Sequence, residues 1–148
     1  MTLTLKNACE NDRDLLFQWV NDKQCRANSF HSAAVPYAEH CAWFAEKLND
    51  SMCQMYIYYV DETPIGQIRI DLKNGEGYIS YSVANEYRGQ GHGFNMLKLV
   101  ESKLQSGISR LIGFVKYDNV TSQRTFKKNK YVEVRENDYI KYYKEFNY

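Results

Sequence analysis

Residues 83–94 constrain this chain more than any other stretch: Val-Ala-Asn-Glu-Tyr-Arg-Gly-Gln-Gly-His-Gly-Phe. A strand-like run, Tyr78 to Val83, leads in, and a helix-like run, Phe94 to Leu104, leads out. Three glycines, Gly89, Gly91 and Gly93, occupy the junction. A strand that passes through glycines into a helix turns bare backbone N–H groups outward at the helix N-terminus, where the macrodipole also favours negative charge. Such a junction suits a diphosphate.

Spacing decides among the loops that share this outline. A dinucleotide fingerprint, G-x-G-x-x-G, needs glycine where Phe94 stands. A Walker loop needs Gly-Lys-Ser/Thr, and Gly93 is followed by Phe94-Asn95. A kinase glycine loop covers the nucleotide between strands, whereas the pattern after Gly93 is helical. What remains is R-x-x-G-x-G, built from Arg88, Gly91 and Gly93. It resembles the acyl-CoA pyrophosphate loop of the GCN5-related N-acetyltransferase (GNAT) superfamily. The alternative is a glycine-rich turn with no ligand.

Composition bounds the rest. A chain of 148 residues suits one domain, 1–148, with a single substantial core. The net charge is +1 and the charges are spread along the chain, so nucleic acid is not an expected partner. The apolar runs are too short to span a bilayer and no signal peptide opens the chain, so the expected location is the cytoplasm, away from membranes. Cys9, Cys25, Cys41 and Cys53 form no C-x-x-C pair, and with the three histidines they complete no zinc pattern, so no metal is expected. Thirteen tyrosines suit half-buried strands and equally suit a polar small-molecule cleft.

The hydrophobic pattern predicts the elements. Leu3-Thr4-Leu5 alternates as a strand. Asp12 is placed to cap a helix carrying Leu15, Leu16, Trp19 and Val20. Pro36 opens a second helix, with Tyr37, Cys41, Phe44 and Leu48 on its inner face. Strands follow over 52–60 and 64–72, the latter turning Ile68, Ile70 and Leu72 one way and Gln67, Arg69 and Asp71 the other. Lys73-Asn74-Gly75-Glu76 is a hairpin turn. The helix after the glycine loop presents Leu97, Val100 and Leu104 to the sheet and ends at Gly107. Leu111 to Val115 is an interior strand. A helix over about 120–129 is capped by Asn119 or Asp118. A closing hairpin comes from 131–134 and 139–146. The fold class is α/β with a mixed sheet, in the order β-α-α-β-β-β-α-β-α-β-β, and that order resembles the GNAT acyl-CoA N-acyltransferase fold across essentially the whole chain.

A second motif strengthens the resemblance. Asn119, Ser122, Phe126 and Lys130-Tyr131 stand where the superfamily has Asn, a small residue, an aromatic and Gly-Phe. The resemblance implies that Asn119 bonds the pantetheine arm, with Ser122 beside it, and that Phe126 packs near the cofactor thiol. On residues alone, Asn119 is equally the cap of an amphipathic helix. Many family members carry tyrosine at position 126 to protonate the departing thiolate. Phenylalanine has no hydroxyl, so another tyrosine or a water must supply the proton. A thiol of pKa about 8.5 is already a tolerable leaving group.

The N-terminal third is similar to a narrower branch. Asn21-Asp22, Arg26, Asn28-Ser29-Phe30, Glu39-His40, Trp43-Phe44, Lys47-Leu48 and Gly66-Gln67-Ile68-Arg69 resemble acetyltransferases of nucleotide-activated amino sugars, of the pseudaminic-acid-pathway type. The segment joining the first two helices then closes over the acceptor. Asn28, Ser29, Phe30, His31 and Arg69 become acceptor contacts, with Arg26, Arg69 and Phe30 favouring an anionic, ring-bearing molecule.

The resemblance implies direct acetyl transfer from acetyl-CoA to a primary amine. Val83, Arg88, Gly89, Gln90, Gly91, His92, Gly93 and Phe94 hold the donor. His92 is expected to face solvent or lie near the diphosphate. The strand ending at Val83 is expected to splay from the strand at 111–115. Tyr78, Tyr81 and His31 are the candidate acids and bases, each with a rival reading as a packing or surface residue. The partner expected is a small amine acceptor, a sugar nucleotide in the first reading, with a homodimer left open. A protein N-terminus, a polyamine or an antibiotic as acceptor, and a non-catalytic acyl-CoA-binding domain, are the alternatives.

Overall fold

The computed structural model describes residues 1–146. Seven strands form one sheet in the order β1-β2-β3-β4-β5-β7-β6. They are β1 (Leu3–Asn7), β2 (Cys53–Val60), β3 (Thr63–Lys73), β4 (Glu76–Val83), β5 (Arg110–Val115), β6 (Val132–Arg135) and β7 (Ile140–Glu145). β1 to β4 pair antiparallel. The β4–β5 pair is parallel, and β5–β7 and β7–β6 are antiparallel. The helices are α1 (Arg13–Val20), α2 (Lys23–Asn28), α3 (Tyr37–Leu48), α4 (His92–Glu101) and α5 (Val120–Lys128).

Strand alternation sorts the side chains into two layers. From β2, Tyr56 and Tyr58 join Ile68, Ile70, Met96, Leu97, Val100 and Phe126 in the larger core, beneath α4 and α5. Met55 and Ile57 point the other way and pack with Leu16 of α1 and Phe44 of α3. The mixed α/β class and the strand sequence are as the pattern predicts. The Asn74-Gly75 turn takes the left-handed backbone that such a hairpin requires, with φ of 53° and 78°.

Four expectations need correction. The order gains a helix, α2, whose six residues are too few to show a hydrophobic period; its signal is Asp22, which caps it by accepting from the Cys25 N–H at 3.1 Å. Asp12 does not cap α1 with its side chain but accepts from the Cys9 N–H at 2.9 Å across a 3-10 turn, Glu10–Asp12. α4 ends at Glu101, so Leu104 packs on the core from the following turn and Gly107 is not a helix cap. In α3 the buried residues are His40 and Phe44, while Tyr37 at its start is exposed. The His40 Nε2 lies 2.8 Å from the Arg13 carbonyl, and that hydrogen bond lets a polar ring sit in the stripe.

Candidate active site

The sheet opens between β4 and β5. Their ladder pairs Glu76, Gly77 and Tyr78 with Arg110, Leu111 and Ile112, and goes no further among the described residues. From Ile79 to Val83, β4 stays paired with β3. From Gly113 to Val115, β5 stays paired with β7. One edge of β4 therefore carries backbone groups with no strand partner at the centre of the sheet, as the splay expected at Val83 requires.

The N-terminus of α4 stands at the end of this opening. Gly91 is its cap, at φ 83°, and Gly89 also has positive φ, 77°. Only glycine adopts this backbone without strain. The first bond closing the helix runs from the Asn95 N–H to the Gly91 carbonyl at 3.3 Å. The N–H groups of His92, Gly93 and Phe94 precede it and have no acceptor within the helix. A Cβ built on Gly89 or Gly91 meets nothing within 4 Å, so the loop borders open space. Lys98 and Lys128 each bring an ammonium over the Phe94 ring, at 5.6 and 5.7 Å from its centre. These two cations escaped sequence reasoning; Lys98 lies four residues after Phe94, one helical turn on.

Two side chains of this region turn inward. The His92 ring does not face solvent as one expectation had it: it is buried and its Nδ1 lies 3.1 Å from the Tyr58 hydroxyl. Burial raises the Tyr58 phenol, and His92 gives that hydroxyl its partner. Only the His92 backbone remains at the helix mouth. Arg88 is occupied on three sides. Its Nε donates to the Val83 carbonyl at 2.9 Å, Nη1 to Asn85 Oδ1 at 3.3 Å and Nη2 to Asp22 Oδ2 at 2.6 Å. Gln90 is exposed on the loop.

Across the opening, β4 and α5 meet through hydroxyls. Tyr81 OH and Ser122 Oγ are 2.8 Å apart. Burial raises the Tyr81 phenol, opposed by its bonds to Ser122 and Thr125, so it holds its proton at neutral pH. Asn119 caps α5: its Oδ1 accepts the Ser122 N–H at 3.2 Å, which leaves the amide NH2 as its donor end. Phe126 does not face a cofactor channel. It is 2% exposed, stacks on Tyr142 at 5.1 Å and fills the space over Gly113, where a Cβ would lie 2.3 Å from its ring. The resemblance implied packing near the thiol; the packing of α5 on β5 seats the ring in the core.

The opposite face carries the acceptor-side candidates. Tyr78 points away from Tyr81 and stacks on Phe114 at 6.0 Å. Phe114 meets Tyr139 edge-on at 5.3 Å, and Tyr139 meets Phe30 at 6.3 Å. Phe114 and Phe30 are 42% and 54% exposed, so this aromatic surface is open. Nearby, a small pocket of about 60 Å³ lies between Trp19, Trp43, Gln67, Arg69 and Ser82. Arg69 lies over Trp43 at 5.0 Å, pairs with Asp71 at 2.9 Å and donates to Ser80 Oγ at 3.2 Å. Lys47 shares Asp71 at 2.9 Å, so two cations meet one carboxylate.

The segment from Asn28 to His31 is built from within. Arg26, expected to face an anionic acceptor, instead donates to the carbonyls of Val20, His31 and Ala33 and to Ser29 Oγ. Ser29 Oγ also donates to the Cys25 carbonyl at 2.8 Å, and Asn28 Oδ1 accepts from Gln24. His31 is exposed and is tied through its carbonyl. Among the described residues, no cluster of histidine, cysteine or acidic side chains is arranged to hold a metal, and no helix is long and apolar enough to cross a membrane.

Residues 2–132 match the family model of an acetyltransferase (GNAT) domain. No curated protein matches the chain in sequence. Among solved structures it is similar to RimL, a ribosomal alpha-N-protein acetyltransferase in complex with coenzyme A, at 17% identity and a TM-score of 0.85, covering 98% of this chain and 94% of that one. It is similar to spermidine N-acetyltransferase from Vibrio cholerae in complex with CoA and spermine, at 13% identity and a TM-score of 0.85, covering 97% and 95%. It is also similar to the Campylobacter jejuni N-acetyltransferase PseH in complex with acetyl coenzyme A, at 17% identity and a TM-score of 0.74, covering 99% and 100%. At these identities the likeness is one of fold.

Proposed function

This chain belongs to the acetyltransferase (GNAT) domain family, and from that premise we propose that it moves acetyl from acetyl-CoA directly to the primary amine of a nucleotide-linked amino sugar. The observation that carries the transfer is the opening of β4 away from β5 beside the bare N-terminus of α4. The residues present fit the donor. The amides of His92, Gly93 and Phe94 suit a diphosphate, with Lys98 and Lys128 close by for its negative charge. The free edge of β4 suits the amide-bearing pantetheine arm, with the Asn119 amide as a further donor.

Acetyl-CoA supplies an activated thioester. The chain's own part is to hold it, to exclude water and to manage charge. Backbone N–H groups on the free β4 edge offer fixed donors where oxyanion charge develops, typically the largest catalytic contribution at an acyl centre. The half-buried Tyr81–Ser122 hydroxyl pair holds a proton beside the opening and can deliver it to the leaving thiolate, the task that Phe126 cannot perform. The amine must be neutral when it attacks.

The acceptor face favours one substrate class. Lys47 and Arg69 outnumber Asp71, and Lys116 lies at the rim with its ammonium 2.9 Å from the Ala27 carbonyl. A polycationic amine meets repulsion there, and an anionic acceptor meets attraction. The open surface of Phe30, Phe114, Tyr139 and Tyr78 offers faces on which a base or sugar ring can stack. We take residues 1–148 to act as one domain, in the cytoplasm.

Thiol release from acetyl-CoA, measured against a panel of amines, tests this reading. Turnover is expected with nucleotide-linked amino sugars and little with spermidine, an aminoglycoside or a peptide N-terminus. Faster turnover with a polyamine contradicts the acceptor class. Binding of acetyl-CoA with no turnover on any amine contradicts the enzyme.

A further inference from the structure

We propose that Asp22 is a positioning residue that couples the grip on the donor's diphosphate to the order of the acceptor segment, residues 22–35. The inference rests on reading the α4 N-terminus as the diphosphate site. Asp22 Oδ2 makes two bonds. It caps α2 through the Cys25 N–H at 3.1 Å, and it meets Arg88 Nη2 at 2.6 Å. Burial works against the carboxylate, yet the bonds from Arg88 and from the Cys25 N–H outweigh it and hold Asp22 below its ordinary range. Arg88 directly precedes Gly89 of the glycine loop, and its Nε also holds the carbonyl of Val83 at the end of β4. A single guanidinium thus joins the end of β4, the loop and the base of the acceptor segment.

That segment behaves as a unit beyond its base. Asn21 and Val35 exchange two hydrogen bonds, at 2.9 and 2.7 Å, which close it like a clasp. Arg26 ties its interior, from Val20 to Ala33. Segment and loop meet at the wall of a void. Asp22 and Arg88 stand in the wall of a cavity of about 450 Å³ between α1 and the β4–α4 connection, walled also by Leu15, Trp19, Pro64 and Tyr87. The direct Asp22–Arg88 ion pair ties segment to loop beside this cavity, while the rest of the segment is held by Lys116 at the Ala27 carbonyl and by Phe30 against Tyr139. Fixing the glycine loop on a diphosphate fixes Arg88, which fixes Asp22, which removes freedom from residues 22–35. Arg88 also cancels a carboxylate charge that would otherwise repel the diphosphate. By linkage, whatever orders the segment also tightens the donor.

Asp22→Asn removes the charge and keeps an acceptor oxygen for the cap. Asparagine caps a helix as well as aspartate, so α2 keeps its cap while Arg88 loses its ionic partner. Asp22→Ser, a second capping residue, serves as an independent variant. Calorimetry with CoA measures donor binding, and hydrogen exchange read by mass spectrometry follows residues 22–35 with and without saturating CoA. In the wild type, CoA is expected to slow exchange there about tenfold, and in either variant by less than about twofold. Equal slowing in wild type and variants, or CoA binding to the wild type without slowing, overturns the coupling and leaves the diphosphate site standing. Failure of the wild type to bind CoA overturns both.

Discussion

On the proposed reading, Tyr81 and Ser122 supply the hydroxyl that Phe126 lacks. The motif offers Phe126 at the position where an acid is useful, and the fold buries that ring under Tyr142 and over Gly113. Two other hydroxyls meet beside the opening instead, 2.8 Å apart. Tyr81→Phe and Ser122→Ala are each expected to lower kcat about 10- to 100-fold, at or below the low end of the usual range for a general acid because thiolate leaves readily. The KM for acetyl-CoA should hold within about threefold, since the loss falls on the transition state. Unchanged kcat in both variants contradicts the assignment. Phe126→Tyr is expected to restore nothing and to cost about 1–3 kcal/mol in urea unfolding, because it buries a hydroxyl among rings. The Phe126 side chain was misplaced from sequence because residue spacing tells which motif a helix carries, not which of its faces the sheet covers. The Gly113 that admits the ring was there to read, but a lone glycine in a strand signals close approach without naming the partner.

At the scale of elements, strands with a clear period and turns with their own chemistry were legible. Ile68 and Ile70 are buried as the alternation of β3 requires, and Asn74-Gly75 makes its hairpin. The shortest helix and a helix end were not: α2 has too few residues for a period, and α4 stops three residues before the apolar Leu104 that extended its stripe. The closing hairpin carries a testable electrostatic knot. Glu133 of β6 accepts from Tyr142 at 2.8 Å and pairs with Lys127 and Arg135, each at 3.0 Å. The Tyr142 bond and the two cations, outweighing the opposite effect of burial, lower its pKa from 4.5 to about 2. A carboxyl held down in the folded state contributes stability that is complete above its unfolded pKa and is lost as pH falls toward the folded one. For Glu133 that window runs from 4.5 down to about 2. The urea midpoint of the wild type should therefore drop more between pH 6 and pH 3 than that of Glu133→Gln. Equal drops contradict the assignment of this knot as an acid-sensitive support.

For the whole molecule, the function lies where distant parts converge. Tyr81 meets Ser122 across 41 residues, Asp22 meets Arg88 across 66, and Lys116 reaches Ala27 across 89. The glycine loop and the element order could be read because each is written locally. The hydroxyl pair, the ionic clasp and the aromatic surface could not, since each joins residues whose neighbourhood exists only after folding. The central claim is that the main-chain groups of the free β4 edge and the N-terminus of α4 together seat the acyl donor. A crystal structure of this protein grown with CoA tests it most directly. The account predicts the diphosphate within hydrogen-bond reach of the His92, Gly93 and Phe94 amides and the pantetheine arm lying along residues 79–83. Coenzyme bound elsewhere, with those amides facing only solvent, contradicts it.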